Sequence, residues 1–192
     1  MPIPTFLTNS EKAVAWAIEN VDIDVGDAQT LDDLYDLLDN DDEENIWQQF
    51  DAERLIGAAD YSTFAHEAFH AGLVTIYREV RVTDITKVRF DRLGKYWSRY
   101  PAGAEVQGQV YEPEASINVV LTGQIESENI DWEHGLISFC YYGEDQWEVA
   151  TMADAPILVT HVNGQKLEPP VLGNVGPFES DIGWRPNPKR NT

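Results

Sequence analysis

The chain is short of thiols and of positive charge. Its single cysteine, Cys140, excludes an intrachain disulfide and fits a reducing compartment. Only five of the 192 residues are lysine, and neither lysine nor arginine stands between Lys12 and Arg54. No apolar run approaches the roughly 20 residues that a membrane-crossing helix requires, so a spanning protein is not expected. The opening residues, Met1-Pro2-Ile3-Pro4-Thr5, have neither the basic start nor the apolar stretch of a secretory leader. Together these absences predict a cytoplasmic protein.

What is present in excess is acid. Asp and Glu number 34 against 13 Lys and Arg, a net charge of −21. A surface of that sign repels nucleic-acid phosphate and anionic lipid and attracts basic proteins. Direct nucleic-acid binding and membrane attachment are therefore not expected, and a basic protein partner is. The charge is also segregated. Twelve acidic residues lie from Glu19 to Glu44, whereas seven of the thirteen basic residues lie from Arg78 to Arg99. The acidic run suits a solvated helical face, a docking surface for a basic target, or the face of a DNA mimic. With 43% hydrophobic and 11% aromatic residues, the chain can bury a core as one domain.

Periodicity divides the chain. Residues 1–72 read as mainly helical. Ser10 is placed to cap a helix through Ile18, with Ala13, Val14, Ala17 and Ile18 on one face. Thr30 caps a second that carries Leu31, Leu34, Tyr35, Leu37 and Leu38. A third segment holds Ile46, Trp47, Phe50, Leu55 and Ile56, and a fourth runs from Tyr61 to His70 and stops at Gly72. From Leu73 the pattern turns β-branched, with strands predicted over 73–77, 106–111, 117–121, 136–142, 147–151 and 157–162. Glu112-Pro113-Glu114 and Asn163-Gly164 mark turns. Residues 73–168 thus form a β-rich core, and 169–192 a tail rich in proline and glycine. Helices followed by strands predict an α+β architecture.

One motif sits at the end of the fourth helical segment. In His66-Glu67-Ala68-Phe69-His70 the two histidines are four residues apart, a spacing that on a helix turns both imidazoles toward one zinc ion, with Glu67 as general base. The pattern supplies no third ligand, since Ala71-Gly72-Leu73 follows and neither Glu79 nor Asp91 is singled out. The plainer reading sets both histidines on the negative end of the helix dipole, with Phe69 packed inward. Asp22-Ile23-Asp24-Val25-Gly26-Asp27 has its glycine out of register for a calcium loop and reads as a turn.

Three further motifs lie in the β-rich part: Tyr77-Arg78, Trp97-Ser98 and Gln146-Trp147-Glu148. The arginine closes the first strand, the serine follows the aromatic pair Tyr96-Trp97, and alternation puts Gln146 and Glu148 on one strand face. An arginine fork binds phosphate through two hydrogen bonds. A carboxylate beside a sugar stabilises the positive charge that grows as a leaving group departs, and holds a ribose hydroxyl. Arginine, serine and glutamate from separate strands therefore suit an anionic dinucleotide cleaved at one ribose, as NAD+ is. The basic stretch from Arg78 to Arg99 adds positive potential, with Arg89 and Arg92 as alternative phosphate ligands. Trp97 and Trp147 suit a hydrophobic core as well as a nicotinamide slot.

In order and context these motifs resemble those of the ADP-ribosyltransferase family, in its Arg–Ser–Glu group of mono-ADP-ribosyltransferase toxins and phage enzymes. The resemblance covers roughly residues 73–162. It implies that Arg78, with Tyr77 and Trp97 beside it, binds NAD, and that Ser98 holds the active-site strands or the nicotinamide ribose. It implies Glu148 as the catalytic carboxylate and Gln146 as the residue that orients the acceptor, with glutamine there leaning away from arginine as acceptor. The family's Ser-Thr-Ser is reduced here to Ser98, between Trp97 and Arg99. The fold implied is a split β-sandwich of ADP-ribosyltransferase type, with the acidic helical N-terminal part packed on it. NAD+ would be co-substrate and a basic protein the acceptor, as in a toxin or phage effector. Two readings stand beside it: a non-catalytic, DNA-mimic-like inhibitor that binds a basic protein, and a zinc hydrolase built on His66 and His70.

Overall fold

Caps and turns set the helices. The structure, a computed structural model, describes residues 2–39, 46–104, 109–110, 114, 116–142 and 148–176, with backbone alone for 109, 110 and 142. Helix α1 (Ser10–Asn20) is capped one residue earlier than predicted: the Asn9 side chain accepts the Lys12 N–H, while Ser10 Oγ lies 3.4 Å from Ser62 Oγ. Helix α2 (Leu31–Leu38) begins as predicted. Thr30 Oγ1 accepts the Asp33 N–H and the Asp33 carboxylate accepts the Thr30 N–H in return. The N–H of Gln29, then the hydroxyl and N–H of Thr30, hold the Asp33 carboxyl below its usual range.

The segments predicted as two helices, before and after residue 60, are one continuous helix, α3 (Ile46–Ala71). Gly57 does not break it. A Cβ at that position would lie 2.8 Å from the Phe139 ring, so the glycine admits a neighbouring helix. The helix does end at Gly72, whose φ of +76° is the left-handed conformation that glycine adopts without strain.

That neighbour is α4 (Trp132–Tyr142), which corrects the strand predicted over 136–142. Trp132, Leu136, Phe139 and Cys140 recur at helical spacing and all four are buried. Asp131 Oδ1 accepts the His134 N–H at the helix start. At its other end Arg54 donates Nε–H to the Cys140 carbonyl (2.8 Å) and an Nη2 proton to that of Tyr141 (2.6 Å). Helices α1, α2 and α4 all pack on α3, so the helical layer is not confined to residues 1–72.

The strands are β1 (Leu73–Val82), β2 (Tyr96–Ser98), β3 (Gln109–Val110), β4 (Ile117–Glu126), β5 (Glu148–Ala150), β6 (Pro156–Val162) and β7 (Gln165–Asn174). They form one sheet in the order β5-β2-β1-β4-β6-β7, antiparallel along that path, with β3 parallel to β1. The predicted turn joins β6 to β7 through Asn163 and Gly164, at φ of 49° and 74°. Strand β7 carries the β-rich part past residue 168. Pro169 and Pro170 fit because β7 is an edge strand and its pairing with β6 shifts register there. Of the strand predicted over 106–111 only 109 and 110 are described. Glu112, Pro113 and the residues after 176 lie outside the described residues. The chain is thus α+β, and among the described residues no helix is long and apolar enough to cross a membrane.

The sheet curls on itself. Leu93 and Gly94 N–H donate to the carbonyls of Asn174 and Val175 at 2.9 and 3.0 Å, tying the lead-in to β2 to the end of β7. Inside the curl Ile76, Leu93, Trp97, Leu121, Ile157 and Val159 are fully buried. The other face of β1, β2 and β5 is turned toward α3 and α4.

Burial of the α4 thiol has a pH consequence. Desolvation pushes Cys140 up from 9.0 to about 12, against a smaller opposing pull from Arg54. The thiol thus stays protonated in the fold while it ionises in the unfolded chain. Its contribution is complete below pH 9.0 and is lost as the pH rises toward 12, at about 1.4 kcal/mol per unit. Urea midpoints measured from pH 8 upward should therefore fall in wild type and fall less steeply in Cys140→Ala. Equal slopes would contradict this account.

Candidate active site between sheet and helices

The short strand β2 brings the site together. Tyr77 on β1 is directly opposite Ser98 on β2, and Ser98 is directly opposite Glu148 on β5. Directly opposed residues share a sheet face, so all three project to the side of α3 and α4. Ser98 is fully buried and its Oγ accepts the Tyr100 N–H at 3.1 Å. The Glu148 side chain is 11% exposed, and its Oε1 is buried with no hydrogen bond among the described residues. His134 Nε2, delivered by α4, stands 3.5 Å from that oxygen, within ion-pair reach but not hydrogen-bonded. The Tyr96 ring packs on His134 with centroids 5.4 Å apart.

Surrounding bonds fasten these elements to one another. Lys95 Nζ pairs with Asp131 at 2.9 Å, and the Lys95 carbonyl accepts both the N–H and the hydroxyl of Thr151 at 3.0 and 3.2 Å. Asp131 also caps α4, so the entry to β2, the exit of β5 and the start of α4 are linked close to Glu148. Tyr61 reaches the same region from α3. Its hydroxyl is buried with no hydrogen-bond partner among the described residues, and burial pushes the phenol well above its ordinary 10.0, with Glu148 and Asp131 adding to the effect.

Tyr61 and α4 are in close contact, since a Cβ at Gly135 would collide with the Tyr61 hydroxyl. Gly135→Ala is accordingly expected to cost about 1–3 kcal/mol. Tyr61→Phe removes an unsatisfied buried hydroxyl and should be neutral or slightly stabilising. The double variant should recover much of the Gly135→Ala loss. Urea denaturation of all four proteins reads the coupling, and purely additive effects would refute the contact.

Arg78 and Trp97 stand elsewhere than the sequence suggested. Strand β1 does not end at Tyr77 but continues to Val82, so Arg78 lies mid-strand. Alternation turns it, with Ile76 and Val80, to the inside of the curl. There it is 5% exposed, and its guanidinium donates to the Tyr96 carbonyl, which pins β2 to β1. Trp97 is on the same inner side, with Nε1–H donating to the Gly94 carbonyl at 3.0 Å. It is core. Arg99 is on the outer side, where with Thr75, Tyr77, Tyr100 and Glu67 it borders a cavity of about 220 Å³ between α3 and β1. Arg99 pairs with Glu67 at 2.6 Å and lies over the Phe64 ring, 4.3 Å from its centroid. Arg89, in the loop before β2, pairs with Asp91 at 2.8 Å. Gln146 and Trp147 lie outside the described residues.

The histidine motif is occupied otherwise. Glu67 is the partner of Arg99, and His66 Nε2 lies 3.0 Å from the Thr8 carbonyl. Glu79, imagined as a third ligand, pairs with Arg81 at 3.3 Å. Among the described residues no group of three His, Cys, Asp or Glu is placed to share a metal ion.

Sequence reasoning missed His134, Tyr61 and Arg99. For His134 a signal existed: Asp131 three residues earlier is a helix-capping spacing, obscured by the apolar run that follows. Arg99 was marked only as the end of the basic stretch from Arg78, and Tyr61 carries no local mark, because only the packing of α3 beside the sheet gives either a place. Comparison with family models, with curated proteins and with solved structures finds no match to the chain.

Proposed function

We propose that the chain is a mono-ADP-ribosyltransferase, which moves ADP-ribose from NAD+ to a protein side chain and releases nicotinamide, on a fold related to the split β-sandwich of that family. The observation that carries this reading is the alignment of Tyr77, Ser98 and Glu148 on adjacent strands, with one Glu148 oxygen buried and without a hydrogen bond among the described residues. A carboxylate oxygen buried without a hydrogen bond is costly in a fold and suits a ligand partner. A ribose hydroxyl and the cationic sugar carbon of a departing nicotinamide are partners of that kind.

In the reaction the bond between ribose C1′ and the nicotinamide nitrogen breaks, and its electron pair leaves with nicotinamide, which becomes neutral. The positive charge passes to the ribose, where Glu148 faces it. A lone pair of the acceptor side chain then bonds to C1′ and the acceptor loses its proton, with His134 beside Glu148 available as the base. Gln146, two residues before Glu148, is the residue assigned to orient the acceptor. Ser98 holds the β2 backbone in place. The phosphates would meet Arg99 in preference to Arg78, which is turned inward and engaged with the Tyr96 carbonyl. Tyr77 and Tyr100, beside Arg99, offer aromatic surface for a base or for nicotinamide.

Purified protein supplied with adenylate-labelled NAD+ and a bacterial lysate should release nicotinamide and label protein. Release without labelled protein would make it an NAD+ glycohydrolase using the same carboxylate. No turnover, together with no NAD+ binding by calorimetry, would overturn the proposal.

A further inference from the structure

The acidic end of the helical layer carries bare aromatic surface. At the start of α3, Ile46 is 59% exposed, Trp47 77% and Phe50 53%, and on α2 Tyr35 is 49% exposed. From that predicted apolar set only Leu55 is fully buried. Ile46 and Phe50 are one helical turn apart with Trp47 between them, so the three lie along one side of α3. On α2, Leu34 turns inward while Asp32, Asp36 and Asp39 are exposed alongside Tyr35, and α2 packs on α3. Single exposed apolar residues are ordinary, but four large ones on two packed helices are not. Exposed aromatic side chains ringed by polar residues are the composition of an interface centre.

Charge selects the occupant. No Lys or Arg stands between Lys12 and Arg54, so the charges on α2 and over the first turns of α3 are acidic. Arg54, 5.5 Å from the Phe50 ring centroid, is engaged with Asp51 and with the Cys140 and Tyr141 carbonyls. A second copy of a chain of charge −21 would bring like charge onto the face, as would nucleic acid or an anionic membrane. We infer that this face docks a basic, amphipathic segment of a partner protein. Trp47 and Phe50 enter its apolar side, and Asp32, Asp36 and Asp39 face its lysines and arginines. That the partner is also the ADP-ribose acceptor rests on the transferase reading, whereas the surface and its chemistry do not.

The test uses two labelled peptides, one with Lys and Leu at amphipathic helical spacing and one with every Leu replaced by Gln. Fluorescence anisotropy should show wild type binding the Lys/Leu peptide at least about ten-fold more tightly than the Lys/Gln peptide, more weakly as salt rises. Trp47→Ala/Phe50→Ala should bring the first peptide down to the level of the second. Asp32→Asn/Asp36→Asn/Asp39→Asn should weaken both. Because every altered side chain is exposed, circular dichroism should show unchanged folding. Glu148→Gln should bind as wild type, so a failed NAD+ assay beside intact peptide binding removes the transferase reading and leaves the surface standing. In the lysate assay Trp47→Ala/Phe50→Ala should keep nicotinamide release into water but lose protein labelling. Unchanged peptide affinity in that variant would overturn the inference. So would a wild-type dimer that the same variant dissolves, since the face would then pair two copies.

Discussion

Nicotinamide release by Glu148→Gln should fall about 10²–10³-fold below wild type, with folding stability kept or slightly raised. Glutamine has the shape of glutamate and keeps the β5 backbone pairing opposite Ser98. What it lacks, on the proposed transferase reading, is the charge set against the cationic sugar. That charge acts mainly in the transition state, so kcat should drop far more than KM for NAD+ changes. Because Oε1 is buried with no hydrogen bond among the described residues, neutralising the group relieves a desolvation cost that offsets the lost approach of His134 at 3.5 Å. The two readouts together separate chemistry from structure. Turnover within a few-fold of wild type would take Glu148 out of the reaction, and lost activity with lost stability would make its role structural.

Trp97→Ala should destabilise the protein by about 3–5 kcal/mol, a large part of the ~5–15 kcal/mol that holds a domain folded. The indole is fully buried inside the curled sheet. A Cβ on Gly123 would lie 3.4 Å from it and 2.9 Å from Ile157, so the glycine leaves room for the ring. Its Nε1–H also satisfies the Gly94 carbonyl beside the junction with β7. Trp97→Phe keeps most of the apolar volume and should cost less, chiefly the lost hydrogen bond. Equilibrium urea unfolding measures both. Per folded molecule, Trp97→Phe should leave KM for NAD+ unchanged. A raised KM with undisturbed stability would put the indole against the ligand.

Much of this was legible in the chain. Thr30 with Asp33 three residues on announces the start of α2, Gly72 the end of α3, and Asn163-Gly164 the turn after β6, though β7 beyond it is not announced. The strand character of β1, β4 and β6 follows from β-branched residues between turn signals, although the ends of β1 and β4 do not. Other features were hidden. The run from Leu136 to Cys140 is apolar enough for a strand, and only Trp132 upstream and the surface of α3 make it a helix. Ile46, Trp47 and Phe50 read as core by composition, yet they are exposed. The direction of Arg78 could not be read from Tyr77-Arg78, because it depends on β1 running on past Tyr77 as a regular strand.

The sequence by itself determined the class of fold and the segregation of charge along the chain. Caps, positive-φ glycines and hydrophobic period are settled by atoms within a turn or two of each residue, and so can be read locally. Only the tertiary structure decided that Tyr77, Ser98 and Glu148 align, that Arg78 and Trp97 face the other way, and that His134 and Tyr61 join Glu148. Strand register and helix packing are fixed by contacts between residues far apart in the chain, whose energies no local pattern records.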